Sequence, residues 1–176
     1  MIIGISEAQI NLNIVLKLQE LLEQSGYTVI LTRSDENGIY DLDKDSIKNK
    51  KVSDLKNRAQ LANNEEADIF VSIHLNKIEQ NQYYGWQTFY QENNENSKIL
   101  ADKIQNNLNY TIQKENKRQI LALSGKYIMD NVKIPTVTVE CGFLSNDTEA
   151  QELTTDSYQS ELAWGIYTGI IDYFIK

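Results

Sequence analysis

The chain has 176 residues, of which 41% are hydrophobic and 24% charged, a balance typical of one globular domain spanning residues 1–176. A formal net charge of −8 argues against nucleic acids and anionic membrane surfaces as partners, and one cysteine excludes an internal disulfide. No apolar run is long enough to span a membrane, and the opening residues MIIGISEAQIN lack the charged and apolar regions of a signal peptide.

Hydrophobic periodicity in the first half of the chain predicts helices that alternate with strands. The predicted elements are a helix over 6–25, a strand over 27–33, a polar surface loop over 34–51, a helix over 53–67 and a strand over 68–75. Ser6 is a candidate cap for the first helix, because Gln9 stands three residues later in the capping-box position. This half therefore has the alternation from which parallel sheets are built.

The second half of the chain continues the alternation and ends in a helix. The predicted elements are an aromatic-rich strand over 84–91, a helix over 97–108, a strand over 134–143 and a helix over 157–174. Pro135 lies near the start of its strand, where a missing N–H group does least harm. We therefore expect an α/β fold, namely a layered α/β/α domain with a mostly parallel sheet.

Three ionisable side chains are predicted to meet at one edge of this sheet. His74, the only histidine, lies near the carboxyl end of the strand DIFVSIHL, and Glu140 lies near the carboxyl end of PTVTVECGF. Glu7 is in the first turn of a helix, and a helix that follows a strand begins at that same edge. Ligands of open α/β sheets bind at this edge, so the three residues are candidates for one cleft.

Each of these residues also has an ordinary structural explanation. A lone histidine is commonly hydrogen-bonded or half-exposed, although imidazole is also the commonest metal ligand. Only acidic side chains are available here to complete a hydrolytic zinc site, which usually has three protein ligands and a water. Glu140 fits either a general acid/base with a raised pKa or a strand-end residue that reaches water or an arginine. The helix dipole alone explains Glu7.

Two other kinds of chemistry are less well supported by the pattern. A Cys141 thiolate paired with the histidine would make a thiol hydrolase, but strand alternation turns Cys141 away from the face of Glu140, as expected of a small buried residue. Arg33, Arg58 and Arg118 are candidates for binding a carboxylate or phosphate, although isolated arginines are also common in surface ion pairs. Neither pattern identifies a site by itself.

Five segments of the sequence resemble, in order, the zinc-dependent N-acetylmuramoyl-L-alanine amidases of bacterial cell-wall turnover. They are EAQINL (7–12), LTRSD (31–35), RAQLANNEEADIFVSIHLN (58–76), VECGFLSN (139–146) and LAWGIYTGIIDYF (162–174). In that family the first segment carries a glutamate, the third delivers a zinc-binding histidine and the fourth bears the catalytic glutamate. The segments extend across nearly the whole chain, so the resemblance is to one amidase-like catalytic domain.

The resemblance implies a function and a role for each matching residue. Glu7 and His74 would be zinc ligands, Glu140 the general base and acid, and Asn76 a substrate-binding residue of the SIHLN motif. The implied cofactor is Zn2+, and the implied reaction is hydrolysis of the amide between N-acetylmuramic acid and L-alanine in peptidoglycan. Zinc-activated water would attack the carbonyl while the glutamate carries the proton to the leaving amine. The implied location is extracytoplasmic or cell-wall associated.

The chain departs from the family at its start. The family opens with a strand that ends in D-P-G-H-G-G, whose histidine is the remaining zinc ligand. The start MIIGIS contains neither that stretch nor a histidine, so we expect both the first strand and its histidine to be missing. Three explanations stay open: a truncated or misassigned start of an ordinary amidase, a natural variant that has lost tight zinc binding, or a protein partner that covers the open sheet edge. The alternative function is a non-catalytic cell-wall-binding or regulatory protein on the same fold.

Overall fold

The computed structural model describes residues 6–175, and residues 1–5, part of the start considered for a signal peptide, lie outside this range. Its helices are α1 (Glu7–Gln24), α2 (Ile47–Asn64), α3 (Glu95–Ile112), α4 (Tyr127–Asn131), α5 (Asp147–Leu153) and α6 (Asp156–Phe174). Its strands are β1 (Phe70–Asn76), β2 (Gln87–Gln91), β3 (Leu121–Leu123) and β4 (Thr136–Phe143). The long helices expected at the start, middle and end of the chain are therefore confirmed.

The strands form one mixed sheet with the order β1-β4-β2-β3 among the described residues. The pairs β1–β4 and β2–β3 are parallel, whereas β2 runs antiparallel to β4. The α/β class and the mostly parallel sheet are therefore as predicted, with one antiparallel pair in the middle. Strand β4, which carries Glu140, is flanked on both sides by other strands.

One face of the sheet is buried against α1, α3 and α6. Val137, Val139 and Cys141 alternate along β4 and are fully buried on this face. The inner faces of the helices contribute apolar side chains that include Ile14, Leu100, Ile104, Leu108, Leu162 and Ile166. Burying a large aliphatic side chain contributes about 1.5–3 kcal/mol, so this cluster fixes β4 firmly in the core.

Helices α3 and α6 approach each other closely because α6 has glycine at the contact. A Cβ atom on Gly169 would lie 2.5 Å from the Cα of Ile104, and one on Gly165 would lie 3.0 Å from the Cα of Leu108. A larger residue at either position would push the helices apart in a close-packed interior. The two glycines therefore set the spacing of the helices behind the sheet.

The opposite face of the sheet is covered only in part. Ala59 and Ala62 of α2 pack with Val132, which follows α4, in a small second cluster that also contacts Phe70 at the start of β1. This cover lies at the amino end of β1, whereas the side chain of His74 near the carboxyl end is half-exposed. The layers are therefore α/β/α, as predicted, and the carboxyl end of β1 is open to solvent.

The strand predicted over 27–33 is not formed, and that prediction was wrong. The segment follows Gly26 without joining a strand ladder, and β1 is an edge strand of the sheet. A cavity of about 470 Å³ lies between them, lined on one side by residues 28–32 and on the other by residues 69–71 and Ile73. A strand needs a hydrogen-bonded neighbour, and the described part of the chain supplies none here.

The remaining differences lie at element ends and in short elements. The loop predicted over 34–51 is shorter, because Ser46 accepts the backbone N–H of Asn49 at 3.1 Å and α2 begins at Ile47. Strand β2 begins at Gln87 instead of residue 84. The sequence did not reveal β3, α4 or α5, which have 3, 5 and 7 residues. Segments this short carry too little periodicity to be recognised.

Candidate active site

Three side chains form a row across neighbouring strands. His74 of β1 is the register partner of Glu140 in β4, and Gln87 of β2 is the register partner of the same glutamate on the other side. Register partners project from the same face of a sheet, with Cβ atoms about 5 Å apart. His74, Glu140 and Gln87 therefore project side by side from the face that α2 and α4 cover only in part.

Glu7 reaches this row from the first turn of α1. Ser6 accepts the backbone N–H of Gln9 at 3.3 Å, which confirms the predicted cap. The Oε1 atom of Glu7 lies 3.4 Å from Nδ1 of His74 and accepts the backbone N–H of Leu75 at 3.4 Å. The hydrogen bond with His74 is the largest influence that lowers the pKa of Glu7, opposed in part by burial. The carboxylate is therefore held in its charged form beside the imidazole.

Glu140 brings one unsatisfied carboxyl oxygen into the same cluster. Its Oε2 atom is buried and has no hydrogen-bond partner among residues 6–175. Burial raises the pKa of Glu140, the charge of His74 opposes this rise, and the charge of Glu7 adds to it. A buried acceptor without a donor costs free energy, so its retention indicates a use outside folding. A carboxyl group whose pKa is moved toward neutrality suits proton transfer.

A β-bulge in β4 immediately follows Glu140. His74 pairs with Glu140 but Asn76 pairs with Phe143, so β4 has one residue more than β1 over the same stretch. Asn76 ends β1 on the face of His74, and its backbone carbonyl accepts the N–H of Leu144 at 2.8 Å. No hydrogen bond joins the Asn76 side chain to the ionisable groups of the candidate site in the described part of the chain. Its predicted substrate-binding role stays a prediction.

Glu149 of α5 stabilises this bulge, and this residue was not predicted from the sequence. Its buried carboxylate accepts the backbone N–H of Phe143 at 2.7 Å and the backbone N–H of Gly85 at 2.8 Å. Burial raises the pKa of Glu149, and these two backbone donors oppose the rise. The segment NDTE carried a usable signal, because Asn146 caps α5 and Glu149 is at the capping-box position. The side chain of Glu149 contacts the bulge instead of the backbone N–H of the N-cap residue, which is the contact that a capping box would require.

Cys141 is separated from the candidate site by the sheet itself. Its thiol is fully buried among the apolar residues of the opposite face. Burial raises the pKa of Cys141 well above the usual range of a thiol, so no thiolate forms near neutral pH. The geometry therefore argues against the thiol-hydrolase alternative.

The arginines differ in how they are held. Arg58 forms a bidentate ion pair with Asp54, its Nε atom lying 2.6 Å from Oδ2. Arg33 donates to the backbone carbonyls of Ala8 and Asp35 at 2.6 Å. Arg118 donates to the side chain of Gln87 at 3.1 Å, and Gln87 was not foreseen as a site residue. Alternation along the aromatic strand, combined with its register against β4, indicates that Gln87 projects from the same face as Glu140.

The ionisable side chains of the candidate site are of the types that bind zinc, but there are fewer of them than a hydrolytic zinc site usually has. An imidazole and a carboxylate in contact are the N and O ligands that zinc accepts in hydrolytic sites. Within residues 6–175 no group of three or more His, Cys, Asp or Glu side chains is placed to hold a metal ion. A hydrolytic zinc site usually has three protein ligands and a water. His74 and Glu7 therefore have the ligand types of a zinc site, but the described residues do not provide a third ligand.

The chain as a whole matches a known class of hydrolase. The chain matches the family described as N-acetylmuramoyl-L-alanine amidase over residues 2–172. The chain therefore belongs to the N-acetylmuramoyl-L-alanine amidases, enzymes that hydrolyse an amide of peptidoglycan. The resemblance inferred from the sequence is confirmed, and so is the enzyme class.

Individual relatives are similar along almost the whole chain. The germination-specific N-acetylmuramoyl-L-alanine amidase of Bacillus subtilis is 34% identical over 174 residues, covering 97% of this chain and 71% of that protein. The CwlD amidase of Clostridioides difficile, solved in complex with the GerS lipoprotein, is 44% identical with a TM-score of 0.94, covering 97% of this chain and 87% of that one. An N-acetylmuramoyl-L-alanine amidase of Clostridium difficile 630 is 30% identical with a TM-score of 0.83, covering 97% and 85%.

Proposed function

We propose that this chain cleaves the amide between N-acetylmuramic acid and L-alanine through zinc-activated water, as one catalytic domain. Glu7 and His74 are the proposed zinc ligands, and Glu140 is the proposed general base and acid. One observation carries the proposal: Glu7 and His74 are in contact at 3.4 Å, and Glu140, whose Oε2 atom is buried without a hydrogen-bond partner, is the register partner of that histidine. Family membership supports the reaction, and this geometry supports the roles.

The side chains of the cluster have distinct tasks in this reaction. Bound zinc lowers the pKa of a water and polarises a carbonyl. Glu7 is held charged and His74 presents its imidazole from an edge that the helices leave open. Glu140, whose pKa is raised by burial, takes the proton of the attacking water and returns it to the nitrogen of the leaving amine. One carboxyl group can carry out both proton transfers in turn.

The unpaired edge of β1 is the proposed binding position for a protein partner. The cavity of about 470 Å³ beside β1 opens next to the strand that carries His74. We propose that an extended segment fills this cavity and that a protein partner covers the edge, since the similar CwlD amidase was solved with a lipoprotein. Hydrogen exchange of the β1 amides that face away from β4 tests this: they exchange fast in the uncovered chain and slowly once the edge is paired.

Cell-wall digestion tests the reaction itself. Purified peptidoglycan is incubated with the zinc-loaded chain, and new L-alanine amino termini are counted. Glu140→Gln should release them about 100- to 10,000-fold more slowly, the usual contribution of a general acid/base. Glu161→Gln, a change at an exposed glutamate of α6, should leave the rate unchanged. Equal rates for the wild type and Glu140→Gln would remove Glu140 from the mechanism.

A non-catalytic cell-wall-binding protein is the second candidate. It is favoured by one observation, the incomplete ligand set within residues 6–175. In that case the chain sediments with peptidoglycan, yet no new L-alanine amino termini form at saturating zinc. The same digestion therefore separates the two candidates.

The proposed location is outside the cytoplasmic membrane, at the cell wall. Relatives of this chain include proteins named as cell wall amidases in Bacillus anthracis and Staphylococcus aureus. In the range 6–175 no helix is both long and apolar enough to cross a membrane. Fractionation of cells that express the native protein, with antibody detection in the wall fraction, tests the location.

A further inference from the structure

Arg118 lies on the wall of the candidate active site without a carboxylate partner. Its guanidinium donates from Nε to the backbone carbonyl of Tyr84 at 2.9 Å and from Nη1 to the side chain of Gln87 at 3.1 Å. No acceptor within residues 6–175 contacts its Nη2 atom, and no ion pair forms with Arg118 in that range. In a chain of net charge −8, this half-buried arginine therefore keeps donors that point to no protein group.

Two aromatic rings lie close to the guanidinium of Arg118. The Cζ atom of Arg118 lies 4.4 Å from the centroid of the Phe143 ring and 5.9 Å from that of Tyr83. The two rings also stack on each other, with centroids 6.3 Å apart. Stacking on aromatic faces restricts the orientation of the guanidinium group and its N–H donors, which lowers the entropy cost of binding a planar anion. Tyr83 is partly exposed, so the assembly is accessible from solvent.

Glu149 does not neutralise this arginine. The charge of Arg118 lowers the pKa of Glu149, so the two groups interact at a distance. Both carboxylate oxygens of Glu149 are occupied, however, by the backbone N–H groups of Gly85 and Phe143. The free side of the guanidinium therefore remains available for a carboxylate from outside the chain.

The distance between Arg118 and Glu140 indicates how far from the scissile amide a carboxylate bound by Arg118 would lie. Gln87, which accepts from Arg118, is the register partner of Glu140. Neighbouring strands are about 4.8 Å apart, and Arg118 contacts the side chain of Gln87 one strand away from Glu140, so we place the guanidinium roughly 5–10 Å from that carboxyl group. An extended peptide advances about 3.4 Å per residue, so this distance corresponds to about two or three residues.

We infer that Arg118, with Gln87 and Tyr83, forms a subsite for a free carboxylate of the leaving peptide, about two or three residues beyond the scissile amide. This inference rests on the proposed function. The lactyl carboxyl group of the sugar is consumed in the scissile amide, so only the peptide side offers free carboxylates nearby. The subsite therefore selects the peptide portion of the substrate and sets its direction across the sheet.

Peptide binding tests the subsite separately from cleavage. The probes are three peptides that begin with L-alanine: one with a single free carboxylate on its second residue, one with it on the third, and one fully amidated. Binding is followed by NMR titration, with the side-chain Nε–H signal of Arg118 as a local reporter. The wild type should bind one carboxylate peptide about 10- to 150-fold more tightly than the amidated peptide, since a hydrogen bond to a charged group has that value.

Variants assign the preference to this arginine. Arg118→Gln should bind all three peptides equally. Arg118→Lys should keep part of the preference, because it retains the positive charge but not the paired N–H donors of the guanidinium group. Lys117→Gln removes the neighbouring cation, which is paired with Glu115 at 3.0 Å and is 86% exposed, and should keep the full preference. The ratio between peptides is the readout, because any folding defect weakens binding of all three alike.

The outcomes separate this inference from the proposed function. Equal binding of all three peptides by the wild type, or an unchanged preference in Arg118→Gln, overturns the subsite. A chain that shows the preference but releases no L-alanine termini from peptidoglycan contradicts the amidase mechanism and leaves the subsite standing. A chain that cleaves peptidoglycan without any preference leaves the mechanism standing and removes the subsite.

Discussion

The Nδ1 atom of His74 lies 3.4 Å from the Oε1 atom of Glu7, although the two residues are 67 positions apart in the chain. One is near the carboxyl end of an edge strand and the other is in the first turn of α1. Two elements with no sequence proximity therefore deliver an imidazole and a carboxylate to one point. This is the arrangement expected of metal ligands, and it is not needed to close the hydrophobic core.

Glu140 is expected to lower the stability of the metal-free chain. Burial raises its pKa in the folded state, so below the pKa of the unfolded chain the group is protonated in both states and costs nothing. As pH rises from the unfolded-state pKa to the folded-state pKa, the carboxyl group ionises first in the unfolded chain, so stability falls over this window and the loss is constant at higher pH. Glu140→Gln should therefore be more stable than the wild type near pH 7 and equally stable near pH 3.

Urea unfolding in the presence of a chelator, at several pH values, measures this difference. The matched control is Glu161→Gln, which changes an exposed carboxyl group and should follow the wild type at every pH. A Glu140→Gln chain that is less stable than the wild type near neutrality would show that the carboxylate contributes to folding. A gain of stability in Glu140→Gln would match the exchange of stability for activity that is common at catalytic residues, which is the role proposed for Glu140.

Glu149 is expected to support both stability and catalysis through the bulge. Glu149→Ala leaves the buried N–H groups of Phe143 and Gly85 without acceptors, which should cost about 2–6 kcal/mol of the free energy of unfolding. Cleavage of peptidoglycan should fall as well, because the bulge follows Glu140 directly. Chemical denaturation and the cleavage rate are the two measurements.

The control for this change lies on the same helix. Glu152 forms a surface ion pair with Lys114 at 2.6 Å, so Glu152→Ala should cost only about 0–1 kcal/mol and keep the cleavage rate. If the two alanine variants lost equal stability, the buried carboxylate of Glu149 would have no special part in the fold.

The close contact between α3 and α6 predicts a purely structural defect. In Gly169→Ala the new Cβ atom would lie 2.5 Å from the Cα of Ile104, so the helices must separate, at a cost of about 1–3 kcal/mol. Thr168→Ala, one residue away, should stay within about 0.5 kcal/mol of the wild type. Thermal unfolding compares them, and equal midpoints would mean that the helix pair adapts without strain.

The sequence predicted those elements whose signals are local. Ser6 and Gln9 marked the start of α1, and alternation along β4 assigned Cys141 and Glu140 to opposite faces. It failed at 27–33, where an apolar, β-prone segment has no partner strand in the described part of the chain. Strand formation depends on a neighbour that periodicity does not reveal.

The candidate site was predicted in part for the same reason. Residues that carry chemistry at strand ends, such as His74 and Glu140, could be recognised from position and residue type. Arg118 was predicted only as one of three candidate anion-binding arginines, and Gln87 and Glu149 were missed, because these roles depend on register across β2 and β4 and on contacts made by short elements. Long-range register is fixed by the tertiary fold and not by the local sequence.

Zinc binding by defined variants tests the central claim most directly. Zinc stoichiometry and affinity are measured for the wild type, Glu7→Gln, His74→Ala and Glu23→Gln, the last being an exposed glutamate of α1. We expect close to one zinc per wild-type chain and per Glu23→Gln chain. Glu7→Gln and His74→Ala should bind zinc more weakly by more than the 10- to 100-fold, in rough terms, that loss of an outer-shell partner costs. Zinc affinity unchanged in both variants would contradict the assignment of Glu7 and His74 as metal ligands.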